Sequence, residues 1–142
     1  MENTTSTLEM PGKRDTRYAK VLLIDDNTFD YTINKKLMEV HHFAAKVDVF
    51  GKAPEALAAL ATARQNDLPD IIFLDITMPE MDGFEFLDEF AKLKPEVHAH
   101  CKIIMLTNSE SFGDFNRANK NRFVRKLLNK PLTEQVLDAI NV

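Results

Sequence analysis

The amino-acid sequence predicts an α/β fold, a doubly wound (βα)5 domain with a five-stranded parallel sheet and helices on both faces. Short, wholly apolar runs at 21–24, 71–74 and 103–106 are typical of strands that are buried on both faces of a sheet. Amphipathic segments, with apolar residues at helical spacing, lie between the strands. Because strands that alternate with helices pair in parallel, this order predicts one layer of sheet between two layers of helix.

The first half of the chain contributes two of these strand–helix units. Strand 21–24 is followed by a helix over about 28–41, where apolar residues recur every three or four positions. A second strand at 47–50 ends at a glycine. The next helix is rich in Ala and Leu, has Pro54 in a position that suits its first turn, and runs to about residue 65.

The second half continues the same alternation, with the segment between 95 and 102 predicted as a loop. The last of its strands is more polar than the others, so we expect it near an edge of the sheet. In chain order, the elements are strand 71–74, a helix that carries Phe84, Leu87 and Phe90, strand 103–106, a weak helix over about 110–119, strand 123–128, and a last helix lined by Leu132, Val136 and Ile140 with Thr133 as its N-cap.

Composition limits both the size and the setting of this domain. The 142 residues have room for one domain, and the polar stretch 1–17 is expected to be a disordered tail before a domain at 18–142. The formal net charge of −4 argues against a broad nucleic-acid-binding face. With the single cysteine Cys101, no apolar run long enough for a membrane span and no secretory leader, the sequence is expected to be cytoplasmic.

Polar residues stand just beyond the ends of four predicted strands. Asp25 and Asp26 follow the first strand, Asp75 the third, Thr107 the fourth and Lys130 the fifth. Because ligands bind at the carboxyl ends of the strands in open parallel sheets, we expect these side chains to meet. Clustered carboxylates need a cation between them, and oxygen ligands with several waters favour Mg²⁺. A carboxylate held beside Mg²⁺, a hydroxyl and an ammonium can accept a phosphoryl group.

Simpler readings exist for the same residues. Asp25 and Asp26 could be a polar turn or a helix cap. Before the fourth strand, His98, His100 and Cys101 could be metal ligands, but no fourth ligand of suitable spacing is visible, and we expect no metal there.

Five segments together resemble the receiver domain of bacterial two-component response regulators, in particular the stand-alone type similar to the single-domain chemotaxis regulator. The resemblance spans about residues 19–142. The segments, in the order and spacing of that family, are Leu22-Leu23-Ile24-Asp25-Asp26-Asn27, Ile72-Phe73-Leu74-Asp75-Ile76-Thr77-Met78-Pro79, Met81-Asp82-Gly83-Phe84-Glu85, Ile104-Met105-Leu106-Thr107 and Asn129-Lys130-Pro131.

The resemblance implies a flavodoxin-like strand order, 2-1-3-4-5, and a phosphorylation site at Asp75. It further implies that Asp25, Asp26 and Asp75 hold Mg²⁺ together with the backbone carbonyl of Thr77. Thr107 would bond a phosphoryl oxygen and move inward on activation, and Lys130 would pair with Asp75 and then with the phosphoryl group.

The resemblance also implies structural roles for Gly83 and Pro131, and the sequence departs from the family pattern at Leu127. The resemblance implies a cis peptide bond between Lys130 and Pro131, and a tight turn at Gly83 before the third helix. The family usually has an aromatic switch residue three positions before the lysine, where this sequence has Leu127. The usual aromatic readout is therefore in doubt, more so than phosphorylation itself.

The function implied is that of a single-domain response regulator and not of a conventional enzyme. A histidine kinase or a histidine phosphotransfer protein would phosphorylate Asp75 in a Mg²⁺-dependent step, and dephosphorylation would be self-catalysed. Since no helix-turn-helix follows the domain in this sequence, we expect no DNA-binding role. The expected downstream contact is an unknown protein at the face made by the helix near 110–119, the strand 123–128 and the last helix, where basic residues cluster.

Three other functions were weighed from the same residues. A phosphatase with an aspartyl-phosphate intermediate usually carries a second acid two positions after the first, where this chain has Thr77. A binding module that no longer responds to phosphate would suit Leu127 but not the complete acidic site. A flavin binder needs a phosphate-cradling loop after the first strand, where Asp25 and Asp26 would repel phosphate.

Overall fold

The structure is a computed structural model and describes residues 16–108 and 112–142. In chain order its elements are β1 (Tyr18–Ile24), α1 (Thr28–Val40), β2 (Ala44–Phe50), α2 (Ala53–Thr62), a 3-10 turn at Gln65–Asp67, β3 (Ile71–Asp75), α3 (Gly83–Phe90), α4 (Pro95–His100), β4 (Lys102–Thr107), α5 (Phe112–Lys120), β5 (Val124–Asn129) and α6 (Glu134–Ala139).

The five strands form one parallel sheet in the order β2-β1-β3-β4-β5. This order confirms the predicted fold class, and it places the polar strand β5 at an edge, as the sequence indicates. Strand β1 lies between β2 and β3, so the direction of winding reverses there and leaves a crevice at the carboxyl ends of the strands.

Alternate residues of the central strands pack into two separate apolar clusters, one on each face of the sheet. Leu22, Ile72 and Ile103 lie on the face covered by α2, α3, α4 and α5. Val21 and Phe73 lie on the opposite face, which is covered by α1 and α6. Because both faces are covered, the segments 21–24, 71–74 and 103–106 of β1, β3 and β4 lose almost all contact with solvent, which is why these segments are uninterrupted apolar runs.

The segment before β4 differs from the prediction, because it is a short helix and not a loop. Helix α4 begins at Pro95, a residue that also favours the end of the preceding helix. Proline has no N–H to lose in a first helical turn, and its fixed φ suits that position, so the same residue ends one helix and begins another. Val97 anchors the turn by burial in the core.

Other boundaries shift by a few residues. Strand β2 begins at Ala44, because its pairing with β1 extends to Tyr18 and so recruits residues with no strand pattern of their own. Helix α2 ends at Thr62, and a separate 3-10 turn follows it. The final helix is only Glu134–Ala139, with Leu132 and Ile140 buried on either side of it.

Most of the expected tail, residues 1–15, lies outside the described residues. At its end, the guanidinium of Arg17 donates hydrogen bonds to the backbone carbonyls of Leu137 and Ile140 and lies over the ring of Phe43. Across residues 16–108 and 112–142, the structure contains no helix of the length and apolar character that a membrane crossing requires.

Gly83 is required by close packing and not by the shape of a turn. A Cβ atom there would lie 2.7 Å from the backbone oxygen of Asp75 and 3.0 Å from the Cα of Ile76. The amide of Gly83 also donates to the carbonyl of Ile76 at 2.8 Å, so the start of α3 is pressed against the end of β3. The expectation of a tight turn is thus corrected: the constraint is the lack of space beside Asp75.

We therefore expect Gly83→Ala to destabilise the fold by about 2–4 kcal/mol, because the new methyl group meets backbone atoms that cannot move aside cheaply. Gly51→Ala is the matched control. Its Cβ would meet only the backbone oxygen of Asp25, at 4.0 Å, and the cost should stay within about 1 kcal/mol. Urea unfolding of both variants tests this, and equal costs would contradict it.

Candidate functional site

Strand register brings the predicted polar residues to one edge of the sheet. Ile24 pairs with Leu74, so Asp25 and Asp75 stand level, one residue further along neighbouring strands. Thr107 is the last residue of β4 and pairs with Asn129, the residue before Lys130. The amide of Lys130 donates to the carbonyl of Thr107 at 2.9 Å, which extends the sheet by one more bond and directs the lysine towards the acids.

The ammonium of Lys130 lies among carboxylates. Its Nζ is 3.0 Å from Oδ2 of Asp25, 3.0 Å from Oδ2 of Asp30 and 3.4 Å from Oδ2 of Asp75. The side chains of Lys130, Asp25 and Asp75 are all less than a tenth exposed, so water screens these charges poorly. The peptide bond between Lys130 and Pro131 is cis, the isomer that the resemblance implies.

Asp30 is a contact of Lys130 that sequence reasoning missed. It lies in the first turn of α1, where its amide donates to the side chain of the N-cap residue Asn27. An acid in a first turn is favoured by the helix dipole in any protein, so its presence in the sequence carries no specific signal. Only the packing of α1 against the end of β5 shows that its carboxylate reaches Lys130.

The reading of Asp25 and Asp26 as a turn or cap is partly right as well. Oδ1 of Asp25 accepts a hydrogen bond from the amide of Asn27 at 2.9 Å, which fixes the turn into α1. The cap itself is Asn27. Asp25 therefore has a structural bond on one oxygen and the lysine on the other, whereas Asp26 is exposed at the surface of the site.

An open cleft of about 400 Å³ gives access to the cluster. Four of the candidate site residues, Asp26, Asp75, Thr77 and Lys130, line it, whereas Thr107 and Asp25 are buried and are not among the lining residues. The described residues that line the cleft and that the sequence analysis had not singled out are Asn27, Asp30 and Asn108. Asn108 comes directly after the last residue of β4, which is Thr107. The predicted strand ended one residue earlier, so Thr107 was the residue expected just beyond it.

The electrostatics of Asp75 and Lys130 reflect both burial and their mutual attraction. Burial is the largest influence on Asp75 and raises the pKa of its carboxyl from 3.8 to about 6, although Lys130 opposes that shift. Burial lowers the pKa of Lys130, but hydrogen bonds to Asp25 and Asp30 outweigh it, so the pKa of this lysine lies above its ordinary value. Lys130 is therefore held in its charged ammonium form, whereas the negative charge of the buried Asp75 carboxylate costs free energy.

The donor set suits a hard divalent cation. Asp25, Asp26 and Asp75 each offer one carboxylate oxygen, and these oxygens lie within 4.8 Å of one another. Asp25, Asp30 and Asp75 contact the ammonium of Lys130, and Asp26 lies close to two of these acids, so one lysine leaves most of the negative charge unbalanced. A cation such as Mg²⁺ would offset the excess, and its preference for oxygen ligands matches these residues.

The second metal hypothesis, at the histidines before β4, is not supported. Nε2 of His98 lies 2.6 Å from the carbonyl of Phe90, and its ring packs against Phe123. His100 pairs with Asp70 at 2.8 Å. Burial raises the pKa of the Cys101 thiol to about 12, so it is a poor ligand. Among the residues that the structure describes, the one group of three or more metal-type ligands is the aspartate cluster.

Leu127 and Phe123 both occupy packed positions in or beside β5. Leu127 pairs with Met105 and packs, partly buried, against the cluster under α3 and α5. Phe123 precedes the strand, at the end of the sheet away from the acids, and makes an edge contact with Phe90 with ring centroids 5.2 Å apart. Phe123 therefore does not stand in for the missing aromatic residue at position 127.

Comparison with known proteins agrees with this arrangement. The model of the response regulator receiver domain family matches residues 21–141. A protein-glutamate methylesterase/protein-glutamine glutaminase from Thiobacillus denitrificans is 37% identical over 76 residues, which is 54% of this chain and 20% of that protein. The chain therefore spans only about a fifth of the length of the curated relatives that it matches.

Solved structures of the same fold cover most of the chain. A response regulator receiver protein from Dyadobacter fermentans superposes with a TM-score of 0.77 at 29% identity, covering 84% of this chain and 91% of that one. The receiver domain of a sensor histidine kinase from Pseudomonas aeruginosa superposes with a TM-score of 0.69 at 21% identity, covering 84% and 91%. That second structure holds a magnesium ion in its active site cleft, while its likeness to this chain is one of fold alone.

The raised pKa of Asp75 gives a test of the cluster in metal-free protein. Because this pKa is about 6 in the folded chain against 3.8 for an unperturbed carboxyl, protonated Asp75 stabilises the fold below about pH 4, and that contribution is lost as the pH rises through 6. Asp75→Asn stays neutral throughout. With a chelator present, we expect the variant to gain about 1–2 kcal/mol over the wild type between pH 4 and pH 7.

Urea unfolding at a series of pH values measures this difference in the free energy of unfolding. Addition of Mg²⁺ at pH 7 should narrow it, because the cation offsets the charge on the wild-type carboxylate. A difference that stays constant from pH 4 to pH 7 would contradict the account of Asp75.

Proposed function

Since the chain belongs to the response regulator receiver domain family, we propose that it accepts a phosphoryl group on Asp75 and acts as a switch in two-component signalling. The observation that carries this proposal is the meeting of Lys130 with three carboxylates at the floor of an open cleft. Asp75 is the acid that ends the central strand β3 and faces the cleft, so a donor can reach it in line.

In the proposed reaction, an oxygen of the Asp75 carboxylate attacks the phosphorus of a phosphohistidine in a partner protein. The phosphorus–nitrogen bond breaks, its electron pair remains on the imidazole nitrogen, and that nitrogen takes up a proton. The product is an acyl phosphate on Asp75. Lys130, already 3.4 Å from Asp75, would donate to a phosphoryl oxygen, and the Thr107 hydroxyl would bond another. Hydrolysis of the acyl phosphate by water would return the switch to its resting form.

Asp25, Asp26 and Asp75, with the backbone carbonyl of Thr77, would hold Mg²⁺. When bound, the cation would neutralise charge on the carboxylates and on the oxygens of the transferred group. The excess of acids over ammonium groups in the cluster supports this assignment, since phosphate would otherwise be repelled from the cleft.

We further propose that the donor, a histidine kinase or a histidine phosphotransfer protein, rests on helix α1. The cleft opens between Asp26 and Asp30 at the start of that helix, so a donor that reaches Asp75 must also cover the neighbouring turns. Phe29 and Ile33 stand there on adjacent turns and are 72% and 44% exposed. Large apolar side chains exposed at the rim of a reactive cleft are suited to anchor a protein partner.

The downstream partner would bind at a different surface, around the edge strand β5 with α5 and α6. Arg117, Lys120, Arg122, Arg125 and Lys126 are all exposed there. Phe112 and Phe115 on α5 are also exposed, at 80% and 48%. This mixture suits an acidic partner segment with apolar anchors. Leu127 lies beneath that face, so the signal would pass through the pairing of β4 with β5 and not through rotation of a ring.

The proposal does not extend to the methylesterase activity of the curated relatives, because the chain corresponds to only a fifth of their length. It assigns the chain the role of phosphoacceptor, with self-catalysed steps, and not that of an enzyme acting on other molecules. We place it in the cytoplasm, a reducing compartment that suits a buried, free Cys101.

Incubation with acetyl phosphate and Mg²⁺ tests the acceptor. We expect the intact protein to gain the mass of one phosphoryl group, and Asp75→Asn to gain none, because the attacking oxygen is gone. Asp88→Asn removes an exposed acid from the opposite face of α3 and should be modified as the wild type is. A wild-type chain that stays unmodified with small donors and with cognate kinases would sink the proposal.

The docking role of α1 is tested by separating the protein donor from the small one. Phe29→Ala should slow transfer from a phosphorylated kinase or phosphotransfer protein by about tenfold, because a central apolar anchor is lost. It should leave the rate with acetyl phosphate unchanged. Phe115→Ala removes an equally large exposed ring from α5 and should affect neither rate. Equal slowing by both variants would show that α1 is not the docking helix.

A further inference from the structure

Asp30 is the strongest unexplained feature of the molecule, because it contacts the site lysine and yet is absent from the residues that define the family site. Its Oδ2 is 3.0 Å from Nζ of Lys130, as close as that of Asp25. It lines both the main cleft and a small adjoining pocket of about 70 Å³. The side chain is 27% exposed, whereas that of Asp25 is 4% exposed.

Lys130 and a divalent cation would compete for the same carboxylates. An ammonium group has three N–H donors, and here they face three acceptors, Asp25, Asp30 and Asp75. Two of those acceptors, Asp25 and Asp75, also belong to the cluster whose oxygens lie within 4.8 Å of one another. A cation bound to that cluster would draw on the negative charge that holds the lysine. Asp30 is not one of the three clustered aspartates, so its contact with Lys130 would remain.

Hydrogen bonds of the backbone fix the position of Asp30 at the start of α1. Its amide donates to the side chain of Asn27 at 2.9 Å, and the amide of Asn27 donates to Asp25 at 2.9 Å. This chain of two hydrogen bonds ties the start of α1 to the metal-type ligands and fixes how far Asp30 stands from them. Because Asp30 is partly solvated, its charge costs less to maintain than a second buried acid would.

We propose that Asp30 is a positioning residue that holds the Lys130 ammonium at the side of the cleft when a divalent cation occupies the aspartate cluster. The lysine then stays beside Asp75, ready to donate to the phosphoryl group, without displacing the cation. Without Asp30, the ammonium depends on Asp25 and Asp75 alone and competes with the cation more strongly. This inference rests on the proposed function, in particular on a cation bound by Asp25, Asp26 and Asp75.

A double-mutant cycle distinguishes this role from a simple effect of charge. The probe is Mg²⁺ alone, and its dissociation constant is measured by calorimetry on the full chain. With Lys130 present, Asp30→Asn should raise the dissociation constant at least about fivefold. In a Lys130→Met background, the same change should raise it less than about twofold, because no ammonium remains to compete. Asp88→Asn removes a remote exposed charge and should have no effect in either background.

Equal losses in the two backgrounds would overturn the proposal, since they would show that Asp30 acts on the cation directly through its charge. If Lys130→Met does not fold, a second measurement needs no change at Lys130. In Mg²⁺-saturated wild-type protein, the ammonium resonance of Lys130 should be protected from exchange, and in Asp30→Asn that protection should be lost. Persistence of the protection in Asp30→Asn would also overturn the proposal.

Failure of this inference is separable from failure of the proposed function. Suppose that the wild-type chain binds Mg²⁺ and is phosphorylated on Asp75, but the effects of Asp30→Asn and Lys130→Met on the dissociation constant are additive. That result refutes the role of Asp30 and leaves the proposed function standing. A wild-type chain that neither binds Mg²⁺ nor accepts a phosphoryl group refutes both.

Discussion

Repulsion among carboxylates at one edge of the sheet dominates the chemistry of this molecule. Asp25, Asp30 and Asp75 contact the ammonium of Lys130, and Asp26 lies close to Asp25 and Asp75. Asp25 and Asp75 are almost completely buried. Without a bound cation, repulsion within such a cluster costs free energy. Burial also penalises the charged form of Asp75 and raises the pKa of its carboxyl. The fold tolerates this cost because the remainder of the sheet is an extensive apolar core. A site of this kind is poised to bind cations and, with them, anionic groups.

The geometry of the cluster is fixed by backbone elements more than by its own side chains. Neighbouring strands in register bring Asp25 level with Asp75, and the bond from the Lys130 amide to Thr107 directs the lysine inward. The start of α3 is pressed against Asp75 at Gly83, with no space for a Cβ atom. Reactive groups on rigid strand ends would need little reorganisation in the proposed phosphoryl transfer, which is the condition for electrostatic stabilisation of such a step.

The proposed input and output surfaces lie on different parts of the molecule. The acidic cleft and the exposed Phe29 lie at the start of α1, whereas the exposed basic residues and Phe115 lie on α5 and β5. Strand β4 joins the two regions, since it ends at Thr107 and pairs with β5 along its length. Leu127 fills the position where an aromatic side chain would rotate, and Phe123 is held by Phe90 and His98. Any coupling between the surfaces therefore depends on movement of paired backbone.

The sequence by itself determined the fold class, the strand order through its resemblance to a family, and the five polar residues at the strand ends. Buried parallel strands have continuous apolar sequences, so they can be recognised in the chain. The residue after each such run lies at the carboxyl edge of the sheet, where ligands bind in folds of this type. It did not determine α4, because Pro95 is compatible with both the end and the start of a helix. It also could not identify Asp30, since an acid in a first helical turn is ordinary until packing brings it within 3.0 Å of Lys130. Contacts between residues far apart in the chain depend on how the helices pack on the sheet, and only the tertiary structure decides that.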